Sequence, residues 1–155
     1  MAADDGGRLV GVRFGRAEEA ATLDALRRSA PAGAALVRSD ARVRPLLKQV
    51  RDYLAGKRAD FDCELDLSGA TPFVREVMLE AARIPRGEVA SYGELAARVG
   101  RPRASRAVGN VMRTNPLPLV IPCHRVVGST GLGGYGSAGL ETKRWLLALE
   151  GASIS

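Results

Sequence analysis

Cys123 and His124 stand side by side in LPLVIPCHRV, residues 117–126, and His124 is the only histidine of the chain. A cysteine reacts as its thiolate, and an ordinary thiol is only slightly ionised at neutral pH, so a nucleophilic cysteine needs a base or a cation nearby. Neighbours in an extended segment point to opposite faces. For the imidazole to serve the thiol, either the backbone turns at Pro122–Cys123 or a water carries the proton between them. A third group must orient the imidazole, and Glu150 on the last helix is the candidate carboxylate. The plainer reading is a buried cysteine beside a hydrogen-bonded histidine. Pro116, Pro118 and Pro122 favour the chemical one, because a rigid approach holds a nucleophile still, and the glycines of GSTGLGGYGSAG leave room for a flat group.

The elements around this segment read as helices. Thr71 can cap and Pro72 can open a helix whose Phe73, Val74, Val77, Met78 and Ala81 share one face. SYGELAARVG carries a capping box, Ser91 with Glu94, and stops at Gly100. RPRA is a tight basic turn before a second short helix, SRAVGNVMR, which together make a helix-turn-helix pattern. LETKRWLLALEG predicts an amphipathic helix ended by Gly151, and PLPLVIPCHRVV holds too much proline for a central strand. SGATP marks a domain boundary. Ahead of it, RLVGVRFG predicts a strand ended by Gly15, AEEAATLDALRRSA a helix, and AALVRSD another strand. RPLLKQVRDYLAGK predicts a helix from Pro45 closed by Gly56. FDCELDLSG alternates as a half-exposed strand with Phe61, Cys63, Leu65 and Leu67 inward, which makes Cys63 a core residue.

Charge is unevenly placed. Between Arg83 and Arg125 lie eight arginines against two acidic residues, Glu88 and Glu94, a surplus equal to the net charge of +6 of the whole chain. This is either a solvated face or a surface for a polyanion, since phosphate neutralisation is the usual reason to concentrate arginine. No apolar run reaches the roughly 18 residues that span a membrane. The opening MAADDGGR lacks the basic-then-apolar pattern of a secretory signal, so the cytoplasm is the expected compartment. There Cys63 and Cys123 are expected to stay free thiols, and scattered as they are they form no zinc-ligand spacing, so no metal is expected.

IPCHRVVGSTG, preceded by SRAVGNVMRTNPLPLV, resembles the O6-alkylguanine-DNA alkyltransferases, whose hallmark is a PCHRV active-site segment. The likeness runs upstream through IPRGEVASYGELA and downstream through GGYGSAGLETKRWLLALEG, over residues 71–151 in unbroken order. It implies an α+β fold in two domains. Residues 1–67 form a supporting N-terminal domain, a small antiparallel sheet with helices of the RNase H-like type. Residues 68–155 form a helical domain with a winged-helix-like helix-turn-helix that binds DNA and accepts the alkyl group.

The function implied is direct reversal of DNA damage. The alkyl group on O6 of guanine, and also on O4 of thymine, passes irreversibly to Cys123, so one molecule repairs one lesion without a cofactor. By resemblance His124 activates Cys123 through a water and Glu150 orients His124. The base must leave the duplex, at a cost on the order of a few kcal/mol. Arg106 matches the arginine that enters the gap, its alternative being a plain phosphate contact. Ala107 and Gly109 allow close approach to the minor groove, and Ser105 and Arg113 complete the DNA-binding set. Tyr92 matches the tyrosine that helps rotate the nucleotide out and protonates guanine at N3, or is core filler. Met112 matches a pocket wall and Asn115 the residue that stiffens the turn before the cysteine. The carbonyls of Cys123 and Val126 would read the exocyclic amine, with Tyr135 and the Ser137 N–H completing the pocket. A monomer acting on double-stranded DNA, with no obligate protein partner, is implied. The chain departs from the pattern in three places. Tyr135 lies twelve residues after Cys123 where thirteen is common, no tryptophan lies around Met78, and no first strand of the opening hairpin is expected before GRLVGVRFG. Two rival readings are a cysteine hydrolase and a reader that binds alkylated DNA without repairing it.

Overall fold

The computed structural model describes residues 1–4, 6, 8–12, 19–29 and 40–152. They fall into two compact units, Met1–Gly69 and Ala70–Ser155, and the architecture is α+β.

In the first unit, strand β1 (Ala2–Ala3) pairs antiparallel with β2 (Leu9–Gly11). The hairpin strand read as missing is therefore present. Two alanines beside aspartates and glycines have no strand periodicity or propensity to reveal them. The pairing is instead set by its turn, where the Arg8 N–H donates to Asp4 Oδ1 at 2.8 Å and the Asp4 N–H to the Arg8 carbonyl at 2.9 Å. β2 ends at Gly11, short of Gly15; residues 13–18 and most of AALVRSD lie outside the described residues.

Helix α1 covers Glu19–Ser29 and α2 covers Asp40–Leu54. The latter begins ahead of Pro45, which sits inside it. Proline cannot donate to the carbonyl four residues back, but that carbonyl belongs to exposed Ala41, where solvent can satisfy it. Leu46 and Tyr53, two turns apart, carry the buried face of α2. FDCELDLSG is not a strand. It touches β2 through one parallel bridge, Leu9 to Leu65, because β2 is too short to template more. Burial still alternates from Phe61 to Leu65, and Cys63 is half-buried rather than a core residue.

The second unit is built from helices α3 (Pro72–Ala82), α4 (Tyr92–Arg98), α5 (Ser105–Arg113) and α6 (Gly139–Glu150), with one parallel pair of short strands, β3 (Ala90–Ser91) and β4 (Val126–Val127). Thr71 Oγ1 accepts from the Val74 N–H at 3.4 Å and Pro72 opens α3, as the sequence predicts. The capping box of α4 is complete: the Glu94 N–H donates to Ser91 Oγ at 3.1 Å and the Ser91 N–H to Glu94 Oε2 at 2.7 Å. Past α4, Gly100 takes φ +71°, so the Arg101 N–H can reach back to the Ala96 carbonyl at 2.8 Å and end the helix. Helices α3, α4 and α5 pack on one another, burying Val77, Met78, Leu95, Ala96, Val108 and Val111. Fully burying one such valine or leucine contributes about 1.5–3 kcal/mol.

Between α5 and the cysteine the chain makes a braced turn. Asn115 Oδ1 accepts from the Leu117 N–H at 2.9 Å, and its Nδ2 donates to the Ile121 carbonyl at 2.8 Å. Inside that span Leu119 adopts φ +72°, a conformation that costs a non-glycine residue about 1–2 kcal/mol. Leu119 is only 3% exposed, and burying its side chain offsets the strain.

Candidate active site

The backbone turns at Cys123 and His124. Residues Cys123–Arg125 form one turn of 3-10 helix, closed by the Arg125 N–H on the Pro122 carbonyl at 2.8 Å. The backbone turn that the sequence left open is therefore present, and it is compatible with a water carrying the proton. The turn brings adjacent side chains inward together: Cys123 is 6% exposed and His124 0%.

Glu150, the last residue of α6, closes on the imidazole, with His124 Nε2 and Glu150 Oε1 3.1 Å apart. An ionised carboxylate only accepts, so Nε2 carries a proton and Nδ1 is the basic nitrogen of the neutral ring. Burial pulls the His124 pKa below its ordinary value, against the raising pull of Glu150, while Arg125 and Lys143 add to the lowering. Burial pushes the Cys123 thiol up. It is opposed by the Asn115 amide, the Lys143 charge, a backbone hydrogen bond and the Tyr135 hydroxyl. The thiol is thus protonated at rest and the imidazole neutral.

Two residues that the sequence reading left out of the site are built into it. Arg125, counted there among the arginines of a polyanion surface, is buried. Its Nε meets Glu150 Oε2 at 3.0 Å, its Nη2 meets Oε1 at 2.7 Å, and its Nη1 donates to the Ile84 carbonyl at 2.6 Å. It faces a carboxylate and not solvent, so it leaves the surface row. Lys143 is 0% exposed and donates to the Val126 carbonyl at 2.6 Å and the Gly134 carbonyl at 3.2 Å. Burial lowers its pKa to about 8, with the nearby Cys123 pulling the other way. The helical period held the signal: Lys143, Leu146, Leu147 and Glu150 fall on one face of α6, so an ammonium and a carboxylate share the apolar stripe.

Tyr92, the first residue of α4, is half-buried, and its hydroxyl donates to the Gly134 carbonyl at 3.4 Å. Gly134 thus bridges Tyr92 and Lys143, whose Nζ lies 6.0 Å from the tyrosine ring centroid. Burial raises the Tyr92 pKa, so the phenol keeps its proton. The glycine-rich segment passes so close that a Cβ on Gly133, at φ +66°, would sit 2.7 Å from the ring. Tyr135 is buried with its ring edge-on to His124, 6.4 Å between centroids at 87°. Asn115, Met112 and Val126 are buried in the same unit, and the Ser137 side chain is outside the described set.

The remaining predicted residues lie along α5. Arg106, Ala107 and Arg113 are exposed, and Ser105 and Gly109 half-buried, while Val108, Val111 and Met112 face inward. A Cβ on Gly109 would meet the Tyr92 ring at 3.9 Å, so the inner side of that glycine backs the tyrosine. Arg98, Arg101 and Arg103 are exposed in the adjoining helix end and turn, where Arg101 lies over Phe73 at 5.2 Å. Among the described residues no cluster of histidine, cysteine, aspartate and glutamate could hold a metal ion, and no helix is long and apolar enough to cross a membrane.

Comparison with known proteins places this unit in a class of DNA-binding domain. The profile described as 6-O-methylguanine DNA methyltransferase, DNA binding domain, matches residues 72–152. The methylated-DNA–protein-cysteine methyltransferase of Salmonella typhimurium is 48% identical over 107 residues, 68% of this chain and 62% of that protein. Its namesake from Mycolicibacterium paratuberculosis is 50% identical over 105 residues, 67% of this chain and 62% of that one. Among solved structures, Mycobacterium tuberculosis OGT in complex with DNA is 45% identical with a TM-score of 0.67, covering 70% of this chain and 66% of that one. The O6-methylguanine-DNA methyltransferase of the archaeon Pyrococcus kodakaraensis is 33% identical with a TM-score of 0.61, covering 84% and 75%. The chain belongs to the 6-O-methylguanine DNA methyltransferase family. It spans 62% of the length of the first curated relatives it matches.

Proposed function

We propose that the protein repairs DNA by moving the alkyl group of O6-alkylguanine, and of O4-alkylthymine, onto Cys123 in a single irreversible turnover. The observation that carries this is the buried Cys123 thiol on the same 3-10 turn as His124, whose imidazole is held by Glu150 at 3.1 Å. The thiol is protonated at rest and needs a base, and a neutral His124 that carries its proton on Nε2 can accept one at Nδ1 through a water. The sulfur then bonds the alkyl carbon, the carbon–O6 bond breaks, and its electron pair stays on guanine. Tyr92, whose raised pKa keeps it protonated, supplies a proton at guanine N3. Lys143 steadies the thiolate by its charge. No cofactor enters this balance, because the lesion is the alkyl donor.

On the same reading Arg106 fills the gap left by the extruded base. Ala107 and Gly109 let α5 approach the minor groove, and Ser105 and Arg113 contact the duplex. Met112, Val126, Tyr135 and Ser137 line the base pocket, with Asn115 holding the turn. The finer fold assignment belongs here too: an RNase H-like supporting domain over 1–67 and a winged-helix-like domain over 68–155, acting as a monomer in the cytoplasm. The complex of the M. tuberculosis relative with DNA supports DNA as the partner.

Incubation with duplex DNA bearing O6-methylguanine, followed by intact mass, is the direct test. One added methyl on the Cys123 peptide, and none in Cys123→Ser despite normal DNA binding, is the expected result. A folded protein that binds the lesion and stays unmodified sinks the proposal, and repeated turnover of an ester or amide would point to a hydrolase.

A further inference from the structure

We propose that Arg125 is a positioning residue whose guanidinium compensates the Glu150 carboxylate, so that Glu150 can orient His124 without charging it. The inference rests on the reading of His124 as the base for Cys123.

A carboxylate against an imidazole does two things at once. It fixes the ring by accepting the Nε2 proton, and its negative charge favours the imidazolium. For a base only the first is useful, because an imidazolium accepts no further proton. The conflict is sharpest where both groups are shut away from water, and here both side chains are 0% exposed.

Arg125 resolves it geometrically. Three of its contacts fall on the same carboxylate, Nε at 3.2 Å and 3.0 Å from Oε1 and Oε2, and Nη2 at 2.7 Å from Oε1. Glu150 Oε1 therefore serves His124 and Arg125 together. The guanidinium is itself held from behind by the Ile84 carbonyl at 2.6 Å. Nearby, Arg86 Nη2 donates to the Leu149 carbonyl at 2.8 Å, which ties the Ile84 connector to the last turn of α6. Arginine stays charged at any pH the fold survives, and its fork matches a carboxylate in a way an ammonium cannot.

Among the described residues, these groups face His124. Glu150 and Lys143 approach from α6, Arg125 and Cys123 from its own turn, and Tyr135 edge-on from the glycine-rich segment. Glu150 alone of these carries a negative charge while the thiol is protonated. The compensation thus falls to Arg125, in direct contact with Glu150, with the Lys143 ammonium adding a second positive charge nearby.

Because His124 is the sole histidine, nitrogen NMR of histidine-labelled protein reads its tautomer and charge without assignment. In the wild type the ring is expected neutral and protonated on Nε2, titrating below the ordinary value of 6.5. Arg125→Gln, which keeps a donor for Glu150 but no charge, should raise that midpoint by about one pH unit or more. Arg125→Lys should fall between the two, its charge retained and its fork lost. The rate of reaction with O6-benzylguanine should follow, its rise with pH displaced to the alkaline side in the same order. A wild-type midpoint at or above 6.5, or midpoints that coincide in wild type and both variants, overturns the inference. If Arg125→Gln does not fold, Arg125→Met, likewise without charge, carries the same decision. Failure of the wild type to gain a benzyl group on Cys123 would instead defeat the underlying reading, whatever the titrations show.

Discussion

At the scale of single residues, four polar groups of the site are displaced from their ordinary ionisation. The Cys123 thiol and the Tyr92 phenol hold their protons more tightly than usual, and His124 and Lys143 hold theirs less tightly. Lys143 has a direct consequence for stability. Its pKa is about 8 in the folded chain against 10.5 when free, so the unfolded chain binds the proton more tightly. Its contribution is therefore least favourable below pH 8 and improves as the pH climbs from 8 toward 10.5. In a Cys123→Ser background, which removes the thiol's own titration, the stability of the protein relative to its Lys143→Met variant should rise over that range. The increase is up to about 3 kcal/mol, measured by urea unfolding at a series of pH values, and a flat difference would mean that Lys143 keeps its proton. Cys123, His124 and Glu150 were legible as candidates because their types suggest chemistry at once. Arg125 and Lys143 were not, since an arginine or lysine in a basic stretch reads as surface, and only the third dimension puts a carboxylate against one and two carbonyls against the other.

At the scale of elements, legibility followed local chemistry. The Thr71 cap, the Ser91–Glu94 box and the Gly100 stop are each decided within a few residues, and each stands where the sequence puts it. β1 and the start of α2 depend on partners elsewhere in the chain, and there the reading missed: Ala2–Ala3 has no pattern of its own, and Pro45 looks like a helix start until the turn before it is seen to be helical. The 3-10 turn at Cys123 was open on sequence grounds, because the three prolines before it suit an extended chain as well as a bent one. The closeness of the glycine-rich segment to Tyr92 yields a prediction that belongs here. Gly133→Ala would place a methyl 2.7 Å from the tyrosine ring at a backbone angle alanine disfavours, so either the ring or the segment must shift. Reaction with O6-benzylguanine should slow by an order of magnitude or so, at about 1.4 kcal/mol per tenfold, while α3 to α5 keep their melting behaviour. An unchanged rate would show that Tyr92 has freedom to move.

At the scale of the molecule, the charge is divided between two tasks. Of the eight arginines between Arg83 and Arg125, Arg125 is spent inside, while Arg98, Arg101, Arg103, Arg106 and Arg113 remain exposed on α4, α5 and the turn between them. Binding to duplex DNA should accordingly weaken steeply with salt, the slope falling by about one unit for each phosphate contact removed. Arg106→Ala should lose far more of its rate on O6-methylguanine duplex than on free O6-benzylguanine, because only the duplex has a gap to fill. Paired rate measurements decide this, and equal losses would reduce Arg106 to a phosphate contact.

Glu150 sits 26 residues downstream of the histidine it holds, on the last residue of the last helix. At a synthesis rate of about 5–20 residues per second, the carboxylate trails the imidazole by a second or more as the chain is made. An unfinished polypeptide therefore carries a sulfur with no oriented partner. On the proposed reading, alkyl transfer from DNA then waits until α6 docks and brings Glu150 to His124.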